Sequence, residues 1–166
     1  MSSEHKYSFP PVEDGQLEIL ILGSLPGDRS IAAGEYYAHP RNRFWPLMAK
    51  LLKQELPIDY SQRKEMLLAA HIGLWDVAHS AKRKGSADVD IMDAVPNDIV
   101  SLIGRNRQLH TIAFNGKKAE QLFRRHISLP DDSIRTICLP STSPAYAAMD
   151  PDRLYEVWRS TICLNK

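Results

Sequence analysis

Apolar residues fall into two kinds of run along this chain. One kind is short, continuous and closed by glycine or a polar turn: LEILILG at 17–23, HIGLWDV at 71–77, LHTIAFNG at 109–116 and SIRTICLPSTSPA at 133–145. These runs do not alternate with polar residues, so they predict strands buried on both faces. The other kind has helical spacing. RFWPLMAKLLKQ carries Phe44, Leu47, Met48, Leu51 and Leu52 on one face, with Asn42 placed to cap it and Pro46 tolerable in the first turn. QRKEMLLAA predicts a second helix, PNDIVSLIGRN a third with Asn97 as its cap, KKAEQLFRRHI a fourth and DPDRLYEVWRSTICL a fifth. KRKGSADVD reads as a polar loop, and residues 1–16 as a polar N-terminal extension of a single domain spanning 1–166.

Strands separated by helices predict an α/β fold, a four-stranded parallel sheet covered on both faces. Ligands of such sheets bind beyond the carboxyl ends of the strands. Four loops are expected there, at Gly23–Gly27, Asp76–Ser80, Asn115–Lys117 and Pro140–Ala145.

Composition narrows the field without choosing a function. The 166 residues are 43% apolar and 25% charged, as in a globular domain, and no run approaches the roughly 20 apolar residues of a membrane span. The N-terminal segment has no basic stretch leading into an apolar one, which predicts no signal peptide and a cytoplasmic protein. Cys138 and Cys163 make no ligand motif and are expected free and buried; no metal is expected. Net charge is +1, so any polyanion would be met locally, at the clusters Arg41–Arg43, Lys82–Lys84, Arg105–Arg107, Lys117–Lys118 and Arg124–Arg125.

Two loops carry candidate chemistry. GSLPGDRS follows the first strand, where a glycine-rich loop could cradle phosphate, yet it lacks the GxxxxGK[ST] spacing and Pro26 removes a donor. A tight turn that lets a ligand approach the backbone fits it better. YYAHPRNRFWPLM, residues 36–48, gathers aromatic faces, amide and positive charge, the groups that stack on and hydrogen-bond a planar base beside phosphate. Buried aromatics, a structural His39 and a capping Asn42 are the plain alternatives.

The stretch ILGSLPGDRSIAAGEYYAHPRNRFWPLM resembles the first motif region of the uracil-DNA glycosylase superfamily. It is most similar to the hypoxanthine-DNA (deoxyinosine) glycosylases and next to the mismatch-specific uracil-DNA glycosylases. GLWDV, Gly85–Ser86, PND and STSPA extend the resemblance from Leu17 to Trp158. It implies a three-layer α/β/α domain around a central four-stranded parallel sheet. The implied activity is that of a monofunctional DNA glycosylase, monomeric and without metal or organic cofactor. Such an enzyme flips a deaminated base out of DNA and hydrolyses its N-glycosidic bond.

Residue by residue, the resemblance makes Asn42 the catalytic group that holds water. Tyr37 matches the aromatic that stacks on the base, and the backbones of Gly23 and Ser24 would face the base edge. Asp76 would read the N1–H of hypoxanthine, because an ionised carboxylate only accepts. Ser143, Pro144, Ala145 and Tyr146 match the loop that enters the minor groove, while Arg41, Arg43 and Lys117 would touch phosphates. Many superfamily members have an Asp or Asn in the first loop that positions the attacking water; in the mismatch-specific branch it precedes the loop proline, and the matching position here is Leu25. Three other readings stay open: a mismatch-type uracil-DNA glycosylase, a non-catalytic damaged-DNA-binding module of the same fold, and a nucleotide hydrolase using GSLPGDRS.

Overall fold

The computed structural model describes residues 4–162 and 164. In chain order its elements are β1 (Glu4–Tyr7), β2 (Ile19–Gly23), α1 (Asp28–Ala33), α2 (Phe44–Leu51), α3 (Tyr60–Ala69), β3 (Ile72–Asp76), β4 (Ala78–Arg83), β5 (Met92–Pro96), α4 (Ile99–Arg105), β6 (Thr111–Asn115), α5 (Lys117–His126), β7 (Arg135–Leu139) and α6 (Pro151–Ile162). The four continuous apolar runs form one parallel sheet in the order β3-β2-β6-β7. Its central strand β2 is buried at every position.

Alternate residues of β2 face two separate cores. Ile19 and Ile21 pack with Phe44, Met48, Leu67, Trp158 and their neighbours, from α2, α3 and α6. Leu20 and Leu22 pack with Ile99, Leu102, Leu122 and Phe123, from α4 and α5. The molecule is therefore a three-layer α/β/α domain, as the sequence predicts, and all four sheet strands end at the same edge.

A second sheet departs from expectation. β1, β4 and β5 form an antiparallel sheet in the order β1-β4-β5, built from the supposed polar extension and from the segment around KRKGSADVD. Within that segment, Lys82 and Arg83 belong to β4, the turn at 84–87 is irregular and Asp88–Asp90 forms a 3-10 turn. These strands are short, polar and exposed on one side, so they lack the apolar continuity that marks the parallel strands. Their small core joins Ala78, Ala81 and Ile91 to Leu25 of the first loop.

Two more details differ. α4 is capped by Asp98, whose carboxylate accepts from the Ser101 backbone N–H at 3.1 Å, and not by Asn97. Asn97 is buried and donates its amide to the carbonyls of Asp76 and Ala78, where the chain leaves one sheet for the other. GDRS also begins a short helix, α1, that the sequence pattern leaves as loop. Cys138 is free and half-buried, and Cys163 lies outside the described residues. Among the described residues, no helix is long and apolar enough to cross a membrane.

Candidate active site

The four predicted loops lie at the carboxyl edge of the parallel sheet, where they meet two by two. The chain after β3 runs beside the first loop: Val77 N–H donates to the Gly23 carbonyl at 2.8 Å and Ala78 N–H to the Ser24 carbonyl at 3.1 Å. The chain after β7 runs beside the end of β6, where Asn115 exchanges two 3.0 Å bonds with the backbone N–H and side-chain hydroxyl of Thr142. Gly116, at φ +97°, permits this approach, since a Cβ there would stand 3.2 Å from the Ser141 Cβ.

Asp76 lies at the floor of the first junction and is only 3% exposed. Its Oδ2 accepts from the Ser8 hydroxyl at 2.8 Å. Its Oδ1 lies over Gly23, where a Cβ would come within 2.7 Å of it and 3.4 Å of the Tyr37 hydroxyl. Only glycine leaves space at this point for a carboxylate, a phenol and a ligand. Burial pushes the Asp76 pKa up to about 7; Ser8 and Arg83 pull it down and Asp88 raises it further.

The aromatic stretch needs outside support because its backbone is irregular. Tyr37 has φ +56°, a left-handed conformation unusual for so large a residue. Three side chains hold the segment: Tyr60 accepts from Tyr36 N–H, Trp45 Nε1 donates to the Tyr36 carbonyl, and Ser30 accepts from Ala38 N–H. The Tyr37 ring stacks on Phe44 at 4.1 Å, which covers one of its faces. Its hydroxyl is buried with no partner in hydrogen-bonding geometry, and so is that of Tyr36. Burial first, then the charge of Asp76, drives both phenols well above their usual range, the nearby Ser8 hydroxyl partly opposing this at Tyr36 and the Asn115 amide at Tyr37. Both are neutral donors.

Asn42 occupies the turn before α2. Its Oδ1 accepts from Phe44 N–H at 2.9 Å as an Asx turn one residue ahead of the helix; the N-cap position itself is Arg43, so Asn42 is not the cap the sequence predicts, and its Nδ2 is left unengaged. Arg43 makes bonds within the protein that the sequence does not signal. Its backbone N–H bonds the Thr142 carbonyl, and its guanidinium donates to the carbonyls of Met149 at 2.5 Å, Tyr146 at 2.7 Å and Ser141 at 3.5 Å. Three of the five guanidinium N–H donors are thus engaged by the protein, which makes Arg43 a clamp between its own turn and the 141–149 loop. Through it the 141–149 loop is fixed beside Asn42. Within that loop Ser143 accepts from Ala145 N–H through its hydroxyl and from Tyr146 N–H through its carbonyl. Ser143, Pro144 and Tyr146 are half-buried and Ala145 is exposed.

Arg41 and Lys117 remain exposed at this same edge. Arg105 pairs with Glu13 at the other end of the sheet, and Arg124 with Glu120 along α5. His39 accepts from Arg41 N–H; desolvation, then Arg29 and Arg41, lower its pKa and keep the ring neutral.

The Leu25 position has a physical explanation. Its side chain is 6% exposed and packed into the apolar cluster of the antiparallel sheet, so it faces away from any water beside the base. The loop around it is held by residues that charge patterning assigns to surface. Arg83 is fully buried and donates to the carbonyls of Leu25, Pro26 and Gly85, and Lys6, 5% exposed, bonds Asp28 and the Gly85 carbonyl. The Ser24 hydroxyl is held by Asp88 at 2.7 Å, which leaves only backbone at Ser24 for a ligand. Ser8, Asn115, Thr142, Lys6 and Arg83 are the residues whose roles sequence reasoning misses; only the expectation that the Asn115–Lys117 and Pro140–Ala145 loops share one edge signals any of them, namely Asn115 and Thr142.

This fold and site define a class: an α/β domain that gathers a buried carboxyl, Asp76, and an aromatic, Tyr37, beside a glycine at the strand ends, between loops that meet there. The chain belongs to the uracil DNA glycosylase superfamily, whose family model matches residues 10–162. It is similar to a hypoxanthine DNA glycosylase of Methanosarcina barkeri, 46% identical over 115 residues that make up 69% of this chain and 73% of the relative. A second hypoxanthine DNA glycosylase, from Methanosarcina acetivorans, is 39% identical over 152 residues, 89% of this chain and 92% of that one. The solution NMR structure of a Methanosarcina acetivorans protein, provisionally described as a uracil DNA glycosylase, superposes with a TM-score of 0.77 at 36% identity, covering 95% of this chain and 98% of that one.

Proposed function

We propose that the protein is a monofunctional DNA glycosylase that excises hypoxanthine from deoxyinosine in base excision repair. One observation carries the choice of base: a buried carboxyl, Asp76, whose free oxygen lies over Gly23 beside the Tyr37 hydroxyl. Hypoxanthine offers an N1–H donor where adenine offers an acceptor, so an ionised Asp76 binds the first and repels the second. The names of the two Methanosarcina relatives support the same substrate.

In this reading the extruded base slides over the face of Tyr37 opposite Phe44, with Gly23 and Ser24 backbone along its edge. Extrusion costs a few kcal/mol, offset by stacking and edge hydrogen bonds. The C1′–N9 bond then breaks through an oxocarbenium-like state, the electron pair leaving on the base. A water held by Asn42 adds its oxygen to C1′, and its proton passes to the departing base or to solvent. An amide suffices because the water attacks a carbon already electron-poor. Ser143, Pro144, Ala145 and Tyr146 press into the minor groove, and Arg41 and Lys117 bind phosphates. The enzyme works as a cytoplasmic monomer, with neither metal nor organic cofactor.

Asp76→Asn tests the reading, since an amide can present a donor to adenine. The variant should lose at least about tenfold of the preference for hypoxanthine over adenine, the size of one hydrogen-bond discrimination. An unchanged preference in matched duplexes would remove Asp76 from base choice.

A further inference from the structure

We infer that Ser8 is a positioning residue for base selection: its hydroxyl engages one oxygen of Asp76 and leaves the other aimed at the flipped base as an acceptor. The inference rests on the reading of Asp76 as the base acceptor and extends it to the N-terminal segment.

The segment is anchored on both sides of Ser8. Tyr7 is in register with Ser80, and Ser8 N–H donates to the His79 carbonyl at 2.8 Å. One residue later, the Phe9 carbonyl accepts from Trp75 Nε1 at 2.9 Å and the Phe9 ring packs edge-on against Tyr36 at 5.0 Å. The backbone therefore delivers the hydroxyl to Asp76 with little freedom. A hydroxyl has one proton, and here two acceptors compete for it: Asp76 Oδ2 at 2.8 Å and the Phe9 carbonyl at 3.4 Å. The shorter contact wins while Asp76 is ionised. Donation to Oδ2 favours the carboxylate over the acid and leaves Oδ1 facing Gly23 and Tyr37.

The surroundings make this one donor decisive. Of the groups facing Asp76, Arg83 on β4 favours its charge and Asp88 opposes it. Tyr36 and Tyr37 stay neutral, and burial disfavours the charge most of all. With the carboxyl poised at about 7, a lost hydrogen bond moves it across neutral pH. A protonated Asp76 presents a donor at Oδ1, matched to adenine and not to hypoxanthine.

The test is the pH profile of kcat/KM on inosine duplexes between about pH 5.5 and 8.5, a range set by the titration of a group near 7, for the wild type, Ser8→Ala, Ser8→Thr and Asp76→Asn. Ser8→Ala should move the acid limb up by about one pH unit, with rates several-fold low at pH 7 and nearly restored at the alkaline end. Ser8→Thr, which keeps the hydroxyl, should restore the wild-type limb, and Asp76→Asn should flatten it. A Ser8→Ala rate reduced equally at every pH would overturn the inference and leave Ser8 a packing residue. If Asp76→Asn keeps the wild-type limb and base preference, the reading of Asp76 fails instead. If it flattens the limb while Ser8→Ala leaves it in place, only the role of Ser8 fails.

Discussion

The Arg43 guanidinium donates to the Tyr146 carbonyl at 2.7 Å, joining the turn that holds Asn42 to the loop that would enter the minor groove. The cation serves geometry here, and its effects should differ from those of a phosphate contact. Arg43→Ala should lower single-turnover excision by about 10- to 100-fold, because misplacing a catalytic group by a fraction of its reach is that costly. It should leave the dependence of DNA affinity on salt unchanged.

Arg41 and Lys117 have the opposite character. Both are exposed at the mouth of the cleft. Alanine at either should reduce the slope of log affinity against log salt by about 1 and weaken binding uniformly across sequences. Fluorescence anisotropy at several salt concentrations separates the two behaviours.

Arg83 is a buried cation on which three carbonyls of the first loop and the adjoining turn depend. Arg83→Met keeps its volume but strands Leu25, Pro26 and Gly85 and leaves Asp88 facing them. The change should cost about 3 kcal/mol in urea unfolding, typical of breaking a buried charged network. A cost within about 0.5 kcal/mol would place Arg83 among ordinary surface residues.

Asp76 should also weaken the fold it serves. Its folded pKa, about 7, lies well above the ordinary carboxylate value near 3.8, so the folded state holds the proton more tightly. The associated stability is complete below about pH 4 and is lost as pH rises through 7. Asp76→Asn removes that loss. The variant should match the wild type at about pH 3.5 and exceed it by about 1–3 kcal/mol at pH 8, read by denaturant melts at both values.

How much of this was legible in the sequence follows from the kind of signal each part leaves. The parallel strands declare themselves because burial on both faces demands continuous apolar runs, and Ile19–Gly23 is buried throughout. The antiparallel sheet does not, because β1 and β5 are exposed at most positions and need few apolar residues. Asn42, Tyr37 and Asp76 could be marked in sequence because they sit in recognisable motifs. Ser8 and Arg83 could not, since their meaning arises only when strands distant in sequence pair and bring them to Asp76 and Leu25. The clamping role of Arg43 was hidden for a related reason. A basic residue near a cleft suggests phosphate until the carbonyls of a loop some hundred residues away are found around it.

The most direct measurement is single-turnover release of free base, in EDTA, from duplexes carrying one deoxyinosine or one deoxyuridine. It is made on the wild type, Asn42→Ala and Asn42→Asp. The aspartate keeps an acceptor for Phe44 N–H, so a lost Asx turn can be told from lost chemistry. The account predicts hypoxanthine release by the wild type well above uracil release, falling by about 100-fold or more in Asn42→Ala with stability changed by only about 1 kcal/mol. Tight binding of the inosine duplex with no base released, or release of uracil alone, would contradict it.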